Sequence, residues 1–197
     1  MSLLVTKQAP DFVATAVMAD NSFKEDFKLS DYRGKYVLLF FYPLDFTFVC
    51  PSEILAFNQA VQQFQDADCQ LIGVSIDSHF SHFAWKKTPI NDGGIGNIAY
   101  PLVSDLNKSI STAYDVLLDA GVALRGLFLI DKEGVVRHQV VNDLPLGRSV
   151  NEALRVLHAL QFTEEHGEVC PANWQQGEEA MKPTRAGVAA YLSKHAR

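Results

Sequence analysis

One short apolar run, together with the helix pattern that follows it, constrains the fold of this chain more than any other feature. The run Tyr36-Val37-Leu38-Leu39-Phe40-Phe41 is rich in aromatic and β-branched residues and is short enough for a buried strand. Apolar residues then recur every three or four positions, as on one face of a helix: Ile54, Phe57, Val61 and Phe64. A second apolar run at 69–77 predicts another buried strand. Strand, helix and strand in this order indicate a parallel pair with a right-handed crossover.

Cys50 lies at the junction between the first strand and this helix, and Pro51 follows it. Proline suits a first helical turn, because the N–H that it lacks has no partner there in any case. A thiol at this junction faces unpaired backbone N–H groups and the positive end of the helix dipole, and both favour the thiolate. Thr47, three residues earlier, can donate its hydroxyl to the sulfur. A free cysteine is also often a buried, inert residue, so the junction alone leaves both interpretations open.

The second half of the chain predicts an antiparallel addition to this sheet. Two apolar segments, 123–131 and 135–141, flank the turn Asp131-Lys132-Glu133-Gly134, which is typical of a hairpin. Helices are predicted at 78–87, at 149–162 and, after Cys50, as far as about residue 67. The sheet is therefore predicted to be mixed, with parallel strands in its first half and an antiparallel pair later.

From Thr163 onward the composition changes to polar, glycine- and proline-containing sequence. We predict a folded domain over residues 1–162 and a C-terminal arm over residues 163–197. The arm contains a second Cys-Pro pair, Cys170-Pro171, and its simplest interpretation is a solvated tail.

Composition excludes several classes of function. The net charge of −6 and the pI near 5.4 argue against nucleic acid or an anionic membrane as a partner. No apolar run approaches the roughly eighteen residues that a membrane span needs. Three widely spaced cysteines do not form a disulfide framework, and His79-x-x-His82 has no third ligand nearby, so no metal site is predicted. The first seven residues lack a basic start and a long apolar core, which favours a cytoplasmic location.

Two arginines, Arg125 and Arg148, lie at positions where they can contact the groups around Cys50. Arg125 lies in an apolar strand segment, where an unpaired guanidinium is costly to bury, so an anionic partner is expected. That partner can be the Cys50 thiolate, a carboxylate such as Glu53 or Asp45, or both together. Arg148 precedes the last predicted helix and either donates to the groups around the thiolate or covers the surface.

These residues resemble a known family. The segment Pro43-Leu44-Asp45-Phe46-Thr47-Phe48-Val49-Cys50-Pro51 is similar to the Pro-x-x-x-Thr-x-x-Cys signature of the peroxiredoxins. The later Glu168-Val169-Cys170-Pro171 resembles the typical two-cysteine class of that family. Segments 124–131 and 144–149 also match, in the same order along the chain.

The resemblance implies an α/β, thioredoxin-like fold with a central mixed sheet flanked by helices, and an antioxidant thiol peroxidase that needs no cofactor. Cys50 would attack hydrogen peroxide or an organic hydroperoxide, and Thr47 and Arg125 would stabilise the developing charge. Pro43 would pack over the pocket, and Cys170 would close a disulfide with the oxidised Cys50. Family members imply a homodimer with an intersubunit disulfide, often five dimers in a decamer, that thioredoxin or a dedicated disulfide reductase reduces.

The resemblance also bears on overoxidation. Sensitive peroxiredoxins carry a Gly-Gly-Leu-Gly loop and a C-terminal Tyr-Phe, which together cover the active-site helix. This chain has Gly93-Gly94-Ile95-Gly96, close to the first, and Tyr191-Leu192, which departs from the second. Intermediate sensitivity is therefore expected.

Two other functions compete with a peroxidase. A cysteine hydrolase needs a histidine base beside the thiolate, and no such pairing is apparent in the sequence. A holdase chaperone, the non-enzymatic alternative, would consume no reductant when peroxide is added.

Overall fold

The computed structural model describes residues 3–195. The strands of this range are β1 (Val13–Val17), β2 (Phe23–Lys28), β3 (Tyr36–Phe41), β4 (Cys69–Ser75), β5 (Leu102–Ser104), β6 (Arg125–Ile130) and β7 (Val136–Asn142). The helices are α1 (Cys50–Gln59), α2 (Val61–Asp66), α3 (His79–Lys87), α4 (Ser109–Ala113), α5 (Val150–His166) and α6 (Arg185–His195). Short 3₁₀ turns occupy Leu29–Tyr32 and Ile90–Asp92.

The chain divides into two compact units, one ending at Val150 and the other beginning at Asn151. The domain boundary expected after residue 162 falls inside α5, which runs to His166. The assignment of a peroxidase domain and a separate arm stays a prediction.

The first unit contains one mixed sheet with the strand order β2-β1-β5-β4-β3-β6-β7. β3 pairs in parallel with β4, and β4 with β5, whereas β6 is antiparallel to both β3 and β7. The predicted parallel pair and later antiparallel hairpin are therefore confirmed, as is the α/β class. A mixed sheet flanked by helices is the architecture expected of a thioredoxin-like fold.

β3 is an interior strand of the sheet, next to the central strand β4, and all six of its residues are buried. It pairs with β4 on one side and with β6 on the other. Because successive side chains point to opposite faces and all are buried, both faces of the sheet are covered at β3. On one of these faces the ring of Phe40 stacks on that of Phe57 in α1, with the centroids 4.6 Å apart. Burying a phenylalanine stabilises a fold by about 1.5–3 kcal/mol. The chain segment that leaves β3 thus starts from a fully buried strand that is paired on both sides.

Two sequence-based predictions of secondary structure need correction. The helix after Cys50 does not continue unbroken to residue 67, because the backbone at Ala60 (φ −93°, ψ 2°) leaves the helical region and separates α1 from α2. The antiparallel pair β1 and β2 was not predicted at all. β2 is mostly exposed, with the sequence FKEDFK, so its pattern carries little hydrophobic signal.

The second unit comprises most of α5, the segment after it, and α6. Backbone hydrogen bonds of 2.8 and 3.0 Å pair Val169 with Met181 and close the segment into a loop. Within that loop Trp174 is buried, with 1% of its surface exposed. The segment that carries Cys170 is therefore folded back on itself by local contacts, while most of its residues are exposed to solvent.

No helix among residues 3–195 has the length and apolarity that a membrane span requires.

Candidate active site

The loop between β3 and α1 is held by a buried polar network that the sequence did not reveal. Tyr42 Oη donates a hydrogen bond of 2.9 Å to one carboxylate oxygen of Asp45, and His82 Nδ1 lies 2.8 Å from the other. Burial, and then the negative charge of Asp45, raises the pKa of Tyr42 well above its ordinary value, so the phenol keeps its proton and donates. His82 is fully buried. Because His82 lies on α3, far along the chain, sequence spacing offered no signal for this contact.

The same loop carries a strained residue four positions before Cys50. Phe46 has φ of +53°, in the left-handed region that a bulky side chain rarely adopts. The backbone N–H of the preceding residue, Asp45, donates to Asp77 at 2.7 Å and helps to fix this turn. The turn brings Thr47 back toward the start of α1.

Cys50 is the first residue of α1 and is fully buried. Thr47 Oγ1 lies 3.0 Å from the Cys50 sulfur and 2.7 Å from the Leu44 carbonyl oxygen. A threonine hydroxyl has one proton, so it donates to one of these acceptors at a time. Arg125 Nη1 lies 3.5 Å from the same sulfur. Two donors, one neutral and one cationic, therefore lie within reach of the sulfur; the sequence analysis named Thr47 as a donor and left Arg125 as one of several alternatives.

Arg125 also has the carboxylate partner that remained an open alternative. Its Nη1 donates to Glu53 at 2.7 Å, and its Nε donates to the Leu144 carbonyl oxygen at 2.6 Å. Both interpretations of this arginine are thus correct, with Glu53 as the carboxylate. Asp45, the other candidate, is engaged in the network with Tyr42 and His82.

Glu53 accepts hydrogen bonds from a second arginine, Arg148. The backbone N–H and the Nε of Arg148 each donate at 2.8 Å to one carboxylate oxygen, and its Nη2 donates at 2.9 Å to the other. The Arg148 side chain is 1% exposed, so it does not cover the surface. Burial by itself would raise the pKa of Glu53, but the hydrogen bonds and charge of Arg148, with the charge of Arg125, outweigh it and lower this pKa. Glu53 is therefore an anion that orients both guanidinium groups.

A cavity of about 500 Å³ opens in front of the two donors. Its lining combines Thr47 and Arg125 with mostly apolar side chains: Pro43, Leu44, Phe48, Val49, Val122, Leu144 and Pro145. Phe48 is 96% exposed and stands at the rim. An apolar wall beside hydrogen-bond donors lowers the local dielectric and strengthens the donors' effect on a negative charge.

The arrangement can stabilise an anionic sulfur and a reaction in which negative charge spreads from that sulfur. Neither donor is a general base of the kind that a cysteine hydrolase needs. Within residues 3–195 no group of three histidine, cysteine or acidic side chains is placed to hold a metal ion.

The remaining predicted residues lie elsewhere. Cys170, in the second unit, is partly exposed and contacts α5. Gly93 and Gly96 adopt left-handed backbone conformations (φ +81° and +60°), and a Cβ at Gly94 would come within 1.9 Å of the Thr88 carbonyl oxygen. Tyr191, in α6, stacks on His195 with ring centroids 4.3 Å apart.

The third cysteine, Cys69, lies away from these groups in sequence, at the first position of a strand. It is buried at the start of β4, and burial raises the pKa of its thiol far above the ordinary value, so it stays protonated.

Comparison with known proteins identifies the family of this chain. Residues 5–139 match the model of the AhpC/TSA family, and residues 159–194 match the C-terminal domain of 1-Cys peroxiredoxin. Peroxiredoxin-2 of Mus musculus is 57% identical over 97% of this chain and 96% of its own length. The chain is a peroxiredoxin of the AhpC/TSA family.

Other relatives agree with this assignment. Alkyl hydroperoxide reductase C of Helicobacter pylori is 56% identical over 98% of both chains. The reduced 2-Cys peroxiredoxin of Plasmodium vivax superposes with a TM-score of 0.95, is 55% identical, and covers 98% of this chain and all of its own. This peroxiredoxin therefore has the thioredoxin-like fold that was predicted, and it is a thiol peroxidase that reduces peroxides.

Proposed function

We propose that Cys50 is the residue that attacks the peroxide, with hydrogen peroxide and organic hydroperoxides as substrates. The observation that carries this proposal is the pair of donors on the Cys50 sulfur, Thr47 at 3.0 Å and Arg125 at 3.5 Å. The thiolate forms a bond to one peroxide oxygen as the O–O bond breaks, which leaves a sulfenic acid and releases water or an alcohol after proton uptake. Negative charge spreads over sulfur and two oxygens, where these donors stabilise it. Pro43 lines the pocket and limits access of water.

Glu53 and Arg148 support this site without contacting the sulfur. One carboxylate oxygen of Glu53 accepts a hydrogen bond from the guanidinium of Arg125, and the other accepts one from Arg148. Because a buried carboxylate with only one cationic partner would pull that partner away from the thiolate, the second arginine keeps Arg125 available to Cys50.

Cys170 is the resolving cysteine in this proposal. Its sulfur attacks the sulfenic sulfur of Cys50, a disulfide forms, and the displaced hydroxide leaves as water with the proton of the Cys170 thiol. Thioredoxin or a dedicated disulfide reductase then reduces the bridge. Cys50 is fully buried at the helix start, whereas a disulfide requires Cα atoms within about 7 Å, so the first turn of α1 must unwind.

We assign the bridge to a homodimer in which each Cys170 serves the Cys50 of the partner, with five dimers assembling into a decamer. A related structure supports assembly, since a modified Plasmodium yoelii Prx1a forms an artifactual octamer. An aromatic surface, formed by Phe23, His79, Phe80 and Phe83, offers a contact for another copy. Phe23 touches the other three rings at centroid distances of 5.0 to 5.8 Å, and Phe80 is 66% exposed.

The expected location is the cytoplasm. A catalytic cycle that ends in a disulfide needs a compartment whose dithiols restore the thiols, and cytosolic thiols are kept reduced.

The glycine segment at Gly93, Gly94 and Gly96 and the helix around Tyr191 are proposed to set the sensitivity to overoxidation. Trp85 Nε1 donates to the Gly93 carbonyl oxygen at 2.8 Å and fixes the glycine segment to α3.

The test is intact-mass and non-reducing gel analysis after one equivalent of hydrogen peroxide, on wild type, Cys50→Ser and Cys170→Ser. Wild type should form a covalent dimer, Cys170→Ser should stop at a sulfenic acid that dimedone traps, and Cys50→Ser should not react. Peroxide consumption by Cys50→Ser at even a tenth of the wild-type rate would remove Cys50 from the mechanism. A wild-type bridge at monomer mass would place both cysteines in one chain.

A further inference from the structure

The second unit presents Cys170 to one face of α5. Arg155, Ala159 and Thr163 are four residues apart and therefore share a face of this helix. The Cys170 sulfur lies 3.6 Å from the Ala159 carbonyl oxygen and 3.8 Å from Thr163 Oγ1. The thiol thus meets a polar side chain and a backbone acceptor rather than an apolar surface.

Trp174 holds the segment of Cys170 in this position. Its ring lies 5.0 Å from that of Phe162 in α5, and its indole N–H donates to the Glu178 carbonyl oxygen at 3.1 Å. The pairing of Val169 with Met181 closes the same loop just before Cys170. The sulfur is therefore placed by ordered neighbours on both sides of it in sequence.

The hydrogen bonds at the sulfur differ between the thiol and the thiolate. In the reduced structure Thr163 Oγ1 donates to the Ala159 carbonyl oxygen at 2.9 Å, and the Cys170 S–H can donate to the same oxygen. Once the thiol proton has left, the sulfur accepts hydrogen bonds and no longer donates them. Rotation of the Thr163 hydroxyl toward the sulfur supplies a donor without any movement of the backbone.

Arg155 adds a positive charge on the same helix, one turn before Ala159. Its Nε and Nη2 donate to Glu152 at 2.7 and 2.8 Å, and its Nη1 donates to the Trp174 carbonyl oxygen at 3.2 Å. The hydrogen bond with Glu152 is the main cause that raises the pKa of Arg155, and the charge of Cys170 adds to it. Glu152 reduces the net charge here, so Arg155 acts by holding the Trp174 segment as well as by attraction.

We propose that Thr163 is a catalytic residue of the resolving step, which donates its hydroxyl to the Cys170 thiolate that attacks, and that Arg155 is a positioning residue that holds the Trp174 segment. This inference rests on the proposed role of Cys170. The step is balanced: the S–S bond forms, the S–O bond of the Cys50 sulfenic acid breaks, and the Cys170 proton leaves with the hydroxide as water.

The first test follows sulfenic acid and disulfide separately by rapid quench, dimedone trapping and intact mass after one equivalent of hydrogen peroxide. Thr163→Val should form the disulfide about three- to tenfold more slowly than wild type at neutral pH, because less of Cys170 is thiolate once the hydrogen bond is lost, while the higher nucleophilicity of the remaining thiolate offsets part of this effect. Thr163→Ser should restore the rate. Thr112→Val is the matched control, since the Thr112 hydroxyl likewise donates to the carbonyl four residues earlier but belongs to α4 in the first unit.

The second test needs no peroxide. In full-length Cys50→Ser protein, iodoacetamide should alkylate Cys170 more slowly at neutral pH when Thr163 is valine, because the thiolate is the nucleophile. Local unfolding of the arm would expose this partly buried thiol and speed alkylation. Arg155→Met should slow both reactions and Arg155→Lys should retain most of the rate.

Disulfide formation by Thr163→Val at the wild-type rate would overturn the inference, and so would unchanged or faster alkylation. Failure of the proposed function looks different: wild type itself would then yield no disulfide that contains Cys170.

Discussion

At the scale of single residues, the site links the Cys50 sulfur to the Glu53 carboxylate through Arg125, and Arg148 is a second partner of that carboxylate. Arg125 lies between Cys50 and Glu53, at 3.5 and 2.7 Å from one nitrogen. Arg148 gives Glu53 its other hydrogen bonds. Charges buried so deeply stabilise a structure only when every one of them has a partner, so removal of one arginine affects the other three groups.

Arg125→Ala should slow sulfenic acid formation by about 2–4 kcal/mol in activation free energy, as expected for a lost donor to a developing anion. This corresponds to a factor of roughly 30 to 1,000 in rate. Stopped-flow measurement of the peroxide step checks it, with the melting temperature recorded in parallel to detect loss of fold. An unchanged rate constant in a folded variant would limit Arg125 to a structural role.

Lys86 gives a prediction of pH dependence away from the active site. This lysine of α3 is buried, and its Nζ donates to the Met18 carbonyl oxygen at 2.6 Å. Burial lowers its pKa to about 8, against the smaller opposing effect of Asp20. Between pH 8 and the ordinary lysine pKa of about 10.4 the unfolded chain binds more protons at Lys86 than the folded chain. The Lys86 contribution to stability therefore rises with pH over this range.

The measurement is the free energy of unfolding of wild type minus that of Lys86→Met, from pH 7 to pH 10. This difference should rise by about 1–2 kcal/mol, a value reduced for solvent screening. Taking the difference cancels Cys69 and the buried tyrosines Tyr42, Tyr100 and Tyr114, whose raised pKa values act in the opposite direction. If the difference in unfolding free energy does not change with pH, burial does not lower the pKa of Lys86.

At the scale of elements, the sequence predicted those strands that have a clear hydrophobic pattern. β3, β4 and the β6–β7 hairpin are apolar or alternating, and each was predicted. The β1–β2 pair was missed because β2 is a polar edge strand, and the break at Ala60 involves neither glycine nor proline.

The candidate site was predictable only in part, for a related reason. Thr47 and Cys50 are three residues apart, so local structure brings them together. Glu53, Arg125 and Arg148 come from α1, from β6 and from the segment before α5, so only the tertiary fold brings them together, and sequence spacing does not encode that. Trp174 is a lone aromatic residue in a polar segment, so no periodicity marked it as buried.

The first turn of α1 should unwind when the disulfide forms. Hydrogen exchange of the amides at the start of α1 should accelerate in the oxidised protein, while β3 remains protected because it pairs on both sides. Cys170→Ser treated with one equivalent of peroxide is the control, since it carries a sulfenic acid without a bridge. Equal protection of α1 in reduced and bridged protein would show that the disulfide forms without local unfolding.

α6 should modulate overoxidation by competing with that unwinding. Leu192 is 49% exposed and lacks the bulk of a phenylalanine ring, so a cover made by this helix should hold less tightly. Mass spectrometry during turnover at rising hydrogen peroxide should find less sulfinic acid at Cys50 after truncation before Tyr191, and more in Leu192→Phe. Ser193→Phe, which places the ring on another face of α6, is the control. Equal sulfinic fractions in all variants would mean that α6 does not gate α1.

At the scale of the whole molecule, exposed apolar area indicates where copies meet. Phe23 and Phe80 are 44% and 66% exposed, and they belong to the aromatic surface on β2 and α3. Rings packed against each other at the surface present one contiguous apolar patch, and such patches mark protein–protein contacts more often than isolated residues do. Bringing two such patches together would remove apolar area from water at about 25 cal/mol per Å².

Phe80→Asp should therefore shift assembly toward smaller oligomers without preventing the covalent dimer. A carboxylate placed in the apolar patch would have to be desolvated in the contact, at a cost of at least about 2 kcal/mol per copy. Sedimentation velocity of the reduced protein measures the assembly, and a non-reducing gel after one equivalent of hydrogen peroxide measures the bridge. Leu106→Asp, a matched change at a 65% exposed leucine outside the aromatic surface, should leave both unchanged. The same sedimentation profile for Phe80→Asp and wild type would exclude the aromatic surface as the contact between dimers.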